Sequence, residues 1–94
     1  MSKIEQRLKE LGIELPEAPN PAAEYVPAKR FNNNLVYVSG QDCRKDGSLI
    51  YEGKVGSDLT VEQGYEASRQ AMINTLAVLK MEIGNLDKIK HFVK

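Results

Sequence analysis

The residues best placed to do chemistry in this sequence are Ser39 and Gly40, near the end of the run Asn-Leu-Val-Tyr-Val-Ser-Gly-Gln at positions 34–41. A serine hydroxyl both donates and accepts hydrogen bonds, and a glycine lets a ligand or another stretch of backbone approach closely. The β-branched and aromatic residues before them predict a strand. The pair would therefore lie at a strand end, where binding sites on sheets are commonly built. An ordinary turn explains the same pair equally well.

Tyr25 and several arginines are the other candidates for contacting a small molecule. Tyr25 follows a proline-rich stretch, and its ring is either a hydrophobic anchor or one wall of a pocket. Arg30, Arg44 and Arg69 are candidates for gripping a carboxylate, since a guanidinium binds carboxylates through paired hydrogen bonds. Arg69 falls on a helix face that flanks the apolar stripe, which favours a surface position. These residue types suit a small ligand that carries a carboxylate.

Acid–base, nucleophilic and metal chemistry find less support in the sequence. His91 is the only histidine, so a mechanism with two histidines is impossible within one chain, and a structural role is favoured. Cys43 sits beside Arg44 and Lys45, which would favour its thiolate, but no histidine is near in sequence to act as its base. No metal-ligand spacing and no glycine-rich phosphate loop is present. We expect neither a metal nor a cofactor.

Composition limits the class of protein. The 94 residues allow one domain, and the hydrophobic fraction of 41% is ordinary for a globular chain. Thirteen basic and thirteen acidic side chains cancel, which argues against a general nucleic-acid binder. A single cysteine excludes an internal disulfide and fits a reducing compartment. The charged N-terminus and the lack of a long apolar run predict a cytoplasmic protein without a membrane segment.

The N-terminal third is predicted to contain a short helix, an extended connector and an edge strand. Ser2 and Glu5 form a possible capping box for a helix over residues 2–11, and Gly12 is suited to end it. Four prolines make residues 16–27 an extended segment. Residues 24–31 are a possible edge strand, followed by an asparagine turn at 32–34.

The remainder predicts more strands around one long helix. Residues 35–39 form the best strand, with apolar residues on both faces, which predicts burial on both sides by helices or by a partner subunit. A polar loop over 42–48 leads to a strand at 49–51 that returns beside it. Residues 60–83 form the strongest helix, capped by Thr60, and residues 89–93 form a last strand. The predicted buried stripe of the long helix contains Val61, Tyr65, Ser68, Met72, Leu76, Leu79 and Ile83, and it is widened by Ala67, Ala71, Ala77 and Val78.

A hairpin followed by a helix and a further strand predicts an α+β fold, in which helices cover one face of a mixed sheet. A chain this short buries a small core, so oligomerisation is expected. We expect one domain over residues 1–94, with an extra N-terminal helix in 1–15 and a partial core in 16–94.

Several motifs together resemble the RidA/YjgF family, also called reactive-intermediate deaminases or, in older usage, L-PSP endoribonucleases. Their order and spacing carry the resemblance from residue 21 to residue 94, and the N-terminal helix is similar to a longer-armed subgroup. The matching features are Pro21-x-x-x-Tyr25, residues 34–41, Asp46-Gly47-x-Leu49 with Gly53, Gln63-Gly-Tyr-Glu-Ala67, Gln70-Ala71-x-x-Asn74, Leu79, and Gly84 through Ile89.

The resemblance implies a chorismate-mutase-like fold, a homotrimer with pockets between subunits, and hydrolysis of small imines or enamines such as 2-aminoacrylate. It implies that Tyr25, Ser39 and Gly40 line the pocket. The family's carboxylate-binding arginine and water-positioning glutamate would fall after Lys94, so no catalytic residue is assigned in this chain. We expect a truncated chain that is inactive alone and associates through exposed strands. A non-catalytic ligand-binding protein is the alternative, and an endoribonuclease is a weaker one.

Overall fold

A computed structural model describes residues 2–18 and 26–93 of the chain. The described part is an α+β fold, as the sequence predicts, although its strands form two small antiparallel sheets rather than one mixed sheet. In chain order the elements are α1 (Lys3–Glu10), β1 (Ala28–Phe31), β2 (Leu35–Val38), β3 (Arg44–Lys45), β4 (Ser48–Leu49), α2 (Val61–Ile83) and a 3-10 helix (Leu86–Lys88).

The long helix α2 is the element on which the rest of the fold is assembled. Thr60 and Gln63 cap each other at its start: the Thr60 hydroxyl accepts from the Gln63 amide at 3.1 Å, and the Gln63 side chain accepts from the Thr60 amide at 2.9 Å. This capping box satisfies donors that the first turn otherwise leaves unpaired. Gly84 ends the helix at a φ of 82°, a conformation that glycine adopts without steric strain. The predicted bounds of this helix are confirmed.

The predicted stripe of α2 is buried only in its C-terminal half. Leu79 of the stripe and the flanking Ala77 and Val78 are buried together with Asn74, whereas Val61 and Tyr65 are each 72% exposed. The sheets and the 3-10 helix contact α2, but the large apolar side chains of its first turns stay exposed. The small core comprises Ala28, Cys43, Ile73, Ala77, Val78, Leu79 and Leu86.

The hairpin β1–β2 holds the segment singled out in the sequence. Phe31 pairs with Leu35, and Asn32 and Asn33 make the turn at φ values of 53° and 66°, which asparagine tolerates better than most residues. Only one face of β2 is covered within this chain, and the predicted burial of its second face by a partner subunit stays a prediction. Leu35 and Tyr37 are 46% and 67% exposed, because α2 covers the other face of β2.

The second hairpin forms inside the segment predicted to be a loop. Arg44 pairs with Leu49, and Asp46 and Gly47 turn the chain at φ values of 55° and 87°. The predicted return strand at 49–51 therefore pairs with residues 44–45 and not with β2. An Asp-Gly turn with positive φ at both residues suits a tight hairpin, and this local preference sets the register.

The predicted last strand is also wrong. Residues 89–93 form no strand in the structure, and Val93 is exposed. A strand needs a neighbour to satisfy its backbone groups, and no described strand lies beside this segment. Of the predicted proline-rich connector, residues 19–25 lie outside the described residues, and residues 16–18 carry no helix or strand.

Helix α1 packs near the C-terminal end of α2, where the carboxylates of Asp87 and Glu5 hold it in place. Asp87 accepts from the backbone amides of Lys3 and Ile4, at 2.8 and 3.0 Å. The Glu5 carboxylate pairs with Lys80 of α2 at 3.0 Å. Ser2 caps α1 by accepting from the Glu5 amide at 3.0 Å. Because Asp87 contacts the positive N-terminus of α1, these hydrogen bonds hold the pKa of its carboxyl below the ordinary 3.8.

The docking of α1 is therefore expected to weaken in acid. A carboxyl whose pKa is lowered by folding stabilises the folded state above its unfolded pKa, and this contribution is lost as the pH falls through the folded pKa. Hydrogen exchange at the Lys3 and Ile4 amides should accelerate below about pH 4 relative to exchange within α2. The variant Asp87→Asn should show fast exchange at neutral pH with a much weaker pH dependence. Equal protection at pH 3 and pH 7 would contradict this role of Asp87.

Candidate functional site

Ser39 leaves β2 with both of its polar groups fixed by the chain segment that enters β1. Its amide donates to the carbonyl of Pro27 at 2.8 Å, and its hydroxyl donates a short hydrogen bond to the carbonyl of Val26. The side chain is half-buried. The hydroxyl proton is engaged, so what Ser39 can offer a ligand in this arrangement is an oxygen that accepts.

Gly40 presents bare backbone to open space. A side-chain carbon placed there would meet no atom within 4 Å, and the residue is exposed. The chain itself therefore does not require glycine at this position for packing. What the glycine provides is an uncovered peptide group beside a fixed serine, as a close approach by a ligand or a partner would need.

The third residue predicted for this site, Tyr25, lies outside the described residues. The structure brings Ser39 and Gly40 together with Val26 and Pro27, which directly follow Tyr25 in sequence. Gln41 lies beside them, with its side-chain amide 3.4 Å from the Ser39 carbonyl oxygen. The assignment of the three residues to a binding pocket stays a prediction.

Asn74 fixes the backbone of residues 42–44, which follow Ser39 and Gly40 in the chain. Its side-chain amide donates to the carbonyl oxygens of Asp42 and Arg44, both at 2.9 Å, and its oxygen accepts from Gln70 at 3.1 Å. The side chain is 2% exposed. The sequence showed Asn74 only as part of a motif, because its partners lie 30 and 32 positions away. The helix α2 thus holds the backbone only two residues beyond Gly40.

The arginines considered for carboxylate binding have different surroundings. Arg30 pairs with Glu82 and donates to its backbone carbonyl, and Arg44 pairs with Asp42 in its own loop. Arg7 on α1 pairs with Glu10. Arg69 is exposed on α2, as predicted. None of these contacts places an arginine against Ser39 or Gly40.

The residues considered for other chemistry are explained by packing or exposure. Cys43 is buried, contrary to its predicted place in a polar loop, and its thiol donates to the Tyr51 carbonyl at 3.3 Å. His91 is exposed near the chain end. Within the described residues no group of histidine, cysteine and acidic side chains is arranged to hold a metal. No helix in this part of the chain is long and apolar enough to cross a membrane.

Comparison with known proteins gives one family and several relatives. Residues 5–94 match the model of a family described as "YjgF/chorismate mutase-like, putative endoribonuclease". Over 92 residues the chain is 34% identical to Protein TCP17 of Trypanosoma cruzi, spanning 98% of this chain and 57% of that protein.

Two solved structures resemble the chain closely. The crystal structure of a "putative endoribonuclease" from Shewanella oneidensis superposes with a TM-score of 0.87 at 39% identity, covering 93% of this chain and 57% of the other. The protein Atu1372 of Agrobacterium tumefaciens, described as of unknown function, gives a TM-score of 0.81 at 40% identity, covering 94% and 53%. The chain thus spans a little over half the length of these relatives.

Proposed function

Because the chain belongs to the YjgF/chorismate mutase-like family, we propose that Ser39 and Gly40 form one wall of a pocket for a small imine or enamine with a carboxylate. The complete protein hydrolyses this compound to a 2-keto acid and ammonia. The observation that carries the proposal is the uncovered Gly40 backbone beside the fixed Ser39 oxygen. Tyr25 belongs to the same proposed pocket by the family resemblance.

This reaction makes modest demands on the protein. An enamine such as 2-aminoacrylate tautomerises to an imine, water adds to the carbon of the C=N bond, and the C–N bond then breaks to release ammonia. The imine carbon is already electrophilic, so orienting the substrate carboxylate and one water supplies much of the acceleration. An oxygen acceptor at Ser39 and a free peptide group at Gly40 suit the orienting role.

The residues of this chain supply only part of the proposed pocket. The family resemblance places the carboxylate-binding arginine and the water-positioning glutamate after residue 94, and the pocket between subunits of a homotrimer. The exposed Leu35 and Tyr37 of β2 support association with a partner, since exposed apolar side chains favour burial at an interface. We expect the 94-residue chain to be inactive by itself.

RNA cleavage is a second candidate, which the family description and the name of the Shewanella relative suggest. The balance of thirteen basic and thirteen acidic side chains gives this chain no excess of cations to attract a phosphate backbone. A protein that cleaves RNA but does not accelerate imine hydrolysis would decide for this candidate.

The decisive experiment uses the longest polypeptide made from the native gene, with its intact mass measured first. Its effect on 2-aminoacrylate, generated in situ from serine by an added serine dehydratase, is followed as the rate of keto acid formation above the spontaneous rate. Gly40→Val should lower kcat/KM by about 100-fold, because the added side chain fills the space beside the Ser39 oxygen. Its Tm should change little, since a β-carbon at position 40 meets no atom of this chain within 4 Å apart from its sequence neighbours.

The control is Ser48→Val, which introduces the same valine side chain at an exposed position of β4 and should leave kcat/KM unchanged. Full activity of Gly40→Val would remove Gly40 from the site. A complete protein that binds 2-keto acids without accelerating hydrolysis would identify a non-catalytic binding protein of the same fold.

A further inference from the structure

An open cleft lined by both charged and apolar side chains lies between α2 and the β3–β4 hairpin. Its volume is about 490 Å³, it opens to solvent, and neither Ser39 nor Gly40 lines it. This volume is within the range of pockets that take small molecules. Its lining residues are Lys45, Ile50, Tyr51, Glu66, Arg69 and Gln70.

One wall of the cleft is held by hydrogen bonds. The Tyr51 hydroxyl donates to one carboxylate oxygen of Glu66 at 3.0 Å, and this contact raises the pKa of Tyr51. The Tyr51 backbone is fixed in turn by the buried Cys43 thiol, while the Gln70 side chain donates to Asn74. These contacts leave the second Glu66 oxygen available to accept from a ligand.

Lys45 and Arg69 supply the positive charges of the cleft. Arg7, Arg30 and Arg44 each have an acidic partner. Lys45 and Arg69 make no ion pair with any residue that the structure describes. Against the single Glu66, they leave one positive charge in excess in the cleft. Arginine offers a planar fork and lysine a point charge, and both suit phosphate oxygens.

We propose that this cleft binds a small phosphate monoester that also carries a hydroxyl group. Arg69 and Lys45 contact the phosphate, the second Glu66 oxygen accepts from the hydroxyl, and Ile50 contacts the carbon skeleton. The two cations favour the phosphate of the ligand, and the carboxylate of Glu66 favours a ligand that also has a hydroxyl group to donate. Because the cations are exposed and the cleft is open, a dissociation constant of about 1 mM is expected.

Glycerol 3-phosphate is a suitable probe. Glycerol, which has only the hydroxyl groups, and inorganic phosphate, which has only the phosphate, are its controls. In an NMR titration of the full chain, glycerol 3-phosphate should give saturable shifts at Lys45, Tyr51 and Gln70. Arg69→Gln should weaken binding at least about tenfold. Lys9→Gln removes one charge from an exposed site on α1 and should change the affinity less than about twofold.

A further variant tests the role of the carboxylate. Glu66→Gln should strengthen binding of inorganic phosphate and reduce the preference for glycerol 3-phosphate over it, while lowering the pKa of Tyr51. Thermal melting of each variant verifies that it folds. The proposal is overturned if shifts fail to saturate, if glycerol alone gives the same shifts, or if Lys9→Gln weakens binding as much as Arg69→Gln. None of these outcomes bears on imine hydrolysis at Ser39 and Gly40.

Discussion

Replacing Asn74 by aspartate is expected to destabilise the fold by about 3 kcal/mol, although the two side chains have almost the same shape. The Asn74 amide donates to the carbonyl oxygens of Asp42 and Arg44. A carboxylate would direct an oxygen at these two acceptors instead, in a position that is 2% exposed. Two hydrogen bonds would be replaced by repulsion, and a charge would be buried with only the Gln70 amide donating to it.

The destabilisation should depend on pH in a defined direction. A protonated acid can donate one of the two lost hydrogen bonds, so the difference between Asn74→Asp and the unchanged protein should shrink as the pH is lowered. Urea unfolding at pH 7 and at pH 4.5 measures this difference. Asn33→Asp makes the same chemical change in the exposed turn of the first hairpin, where aspartate also tolerates a positive φ, and should shift the unfolding free energy by less than about 0.5 kcal/mol.

The same variant tests how the candidate site is positioned. Residues 42–44 begin two positions after Gly40, and Asn74 holds them against α2. Amide exchange over residues 41–44 should therefore accelerate more than exchange in the first turn of α2, which the Thr60 capping box secures independently. A uniform change across the chain would mean that Asn74 contributes only to global stability.

Features governed by near neighbours in sequence could be predicted well. Thr60 with Gln63, and Gly84 at the other end, set the bounds of α2, because caps act within one turn. Asn32 and Asn33 set the first hairpin, and the β-branched and aromatic run before Ser39 placed that residue at a strand end. These signals depend on the backbone preferences of a few adjacent residues, so one sequence is sufficient to interpret them.

Features that depend on distant contacts could not be predicted. The large apolar residues Val61 and Tyr65 marked a face of α2 that the described chain leaves exposed, and nothing local shows what packs against a helix. The strand predicted at 89–93 failed for the same reason, since strand pairing is a property of two segments. Asn74 and the Tyr51–Glu66 contact join residues 15 to 32 positions apart, so their roles emerged only in three dimensions.

Leu86→Ala is expected to destabilise the fold by about 3 kcal/mol, the range for truncating a fully buried leucine. Leu86 is completely inaccessible to solvent and belongs to the 3-10 helix that contacts both α2 and α1. The loss has two sources. Removing the side chain forfeits apolar burial, and the cavity loosens the turn that presents Asp87 to the start of α1.

The loosened turn beside Asp87 should distinguish Leu86→Ala from the truncation of an ordinary core residue. Val78 is equally inaccessible on α2, but Val78→Ala should weaken exchange protection throughout the core without singling out α1. Leu86→Ala should expose the Lys3 and Ile4 amides disproportionately. Leu35→Ala, at a surface position of β2, should change the urea-unfolding free energy by less than about 1 kcal/mol. If Leu86→Ala and Val78→Ala gave the same exchange pattern, the Leu86 side chain would not couple α1 to the core.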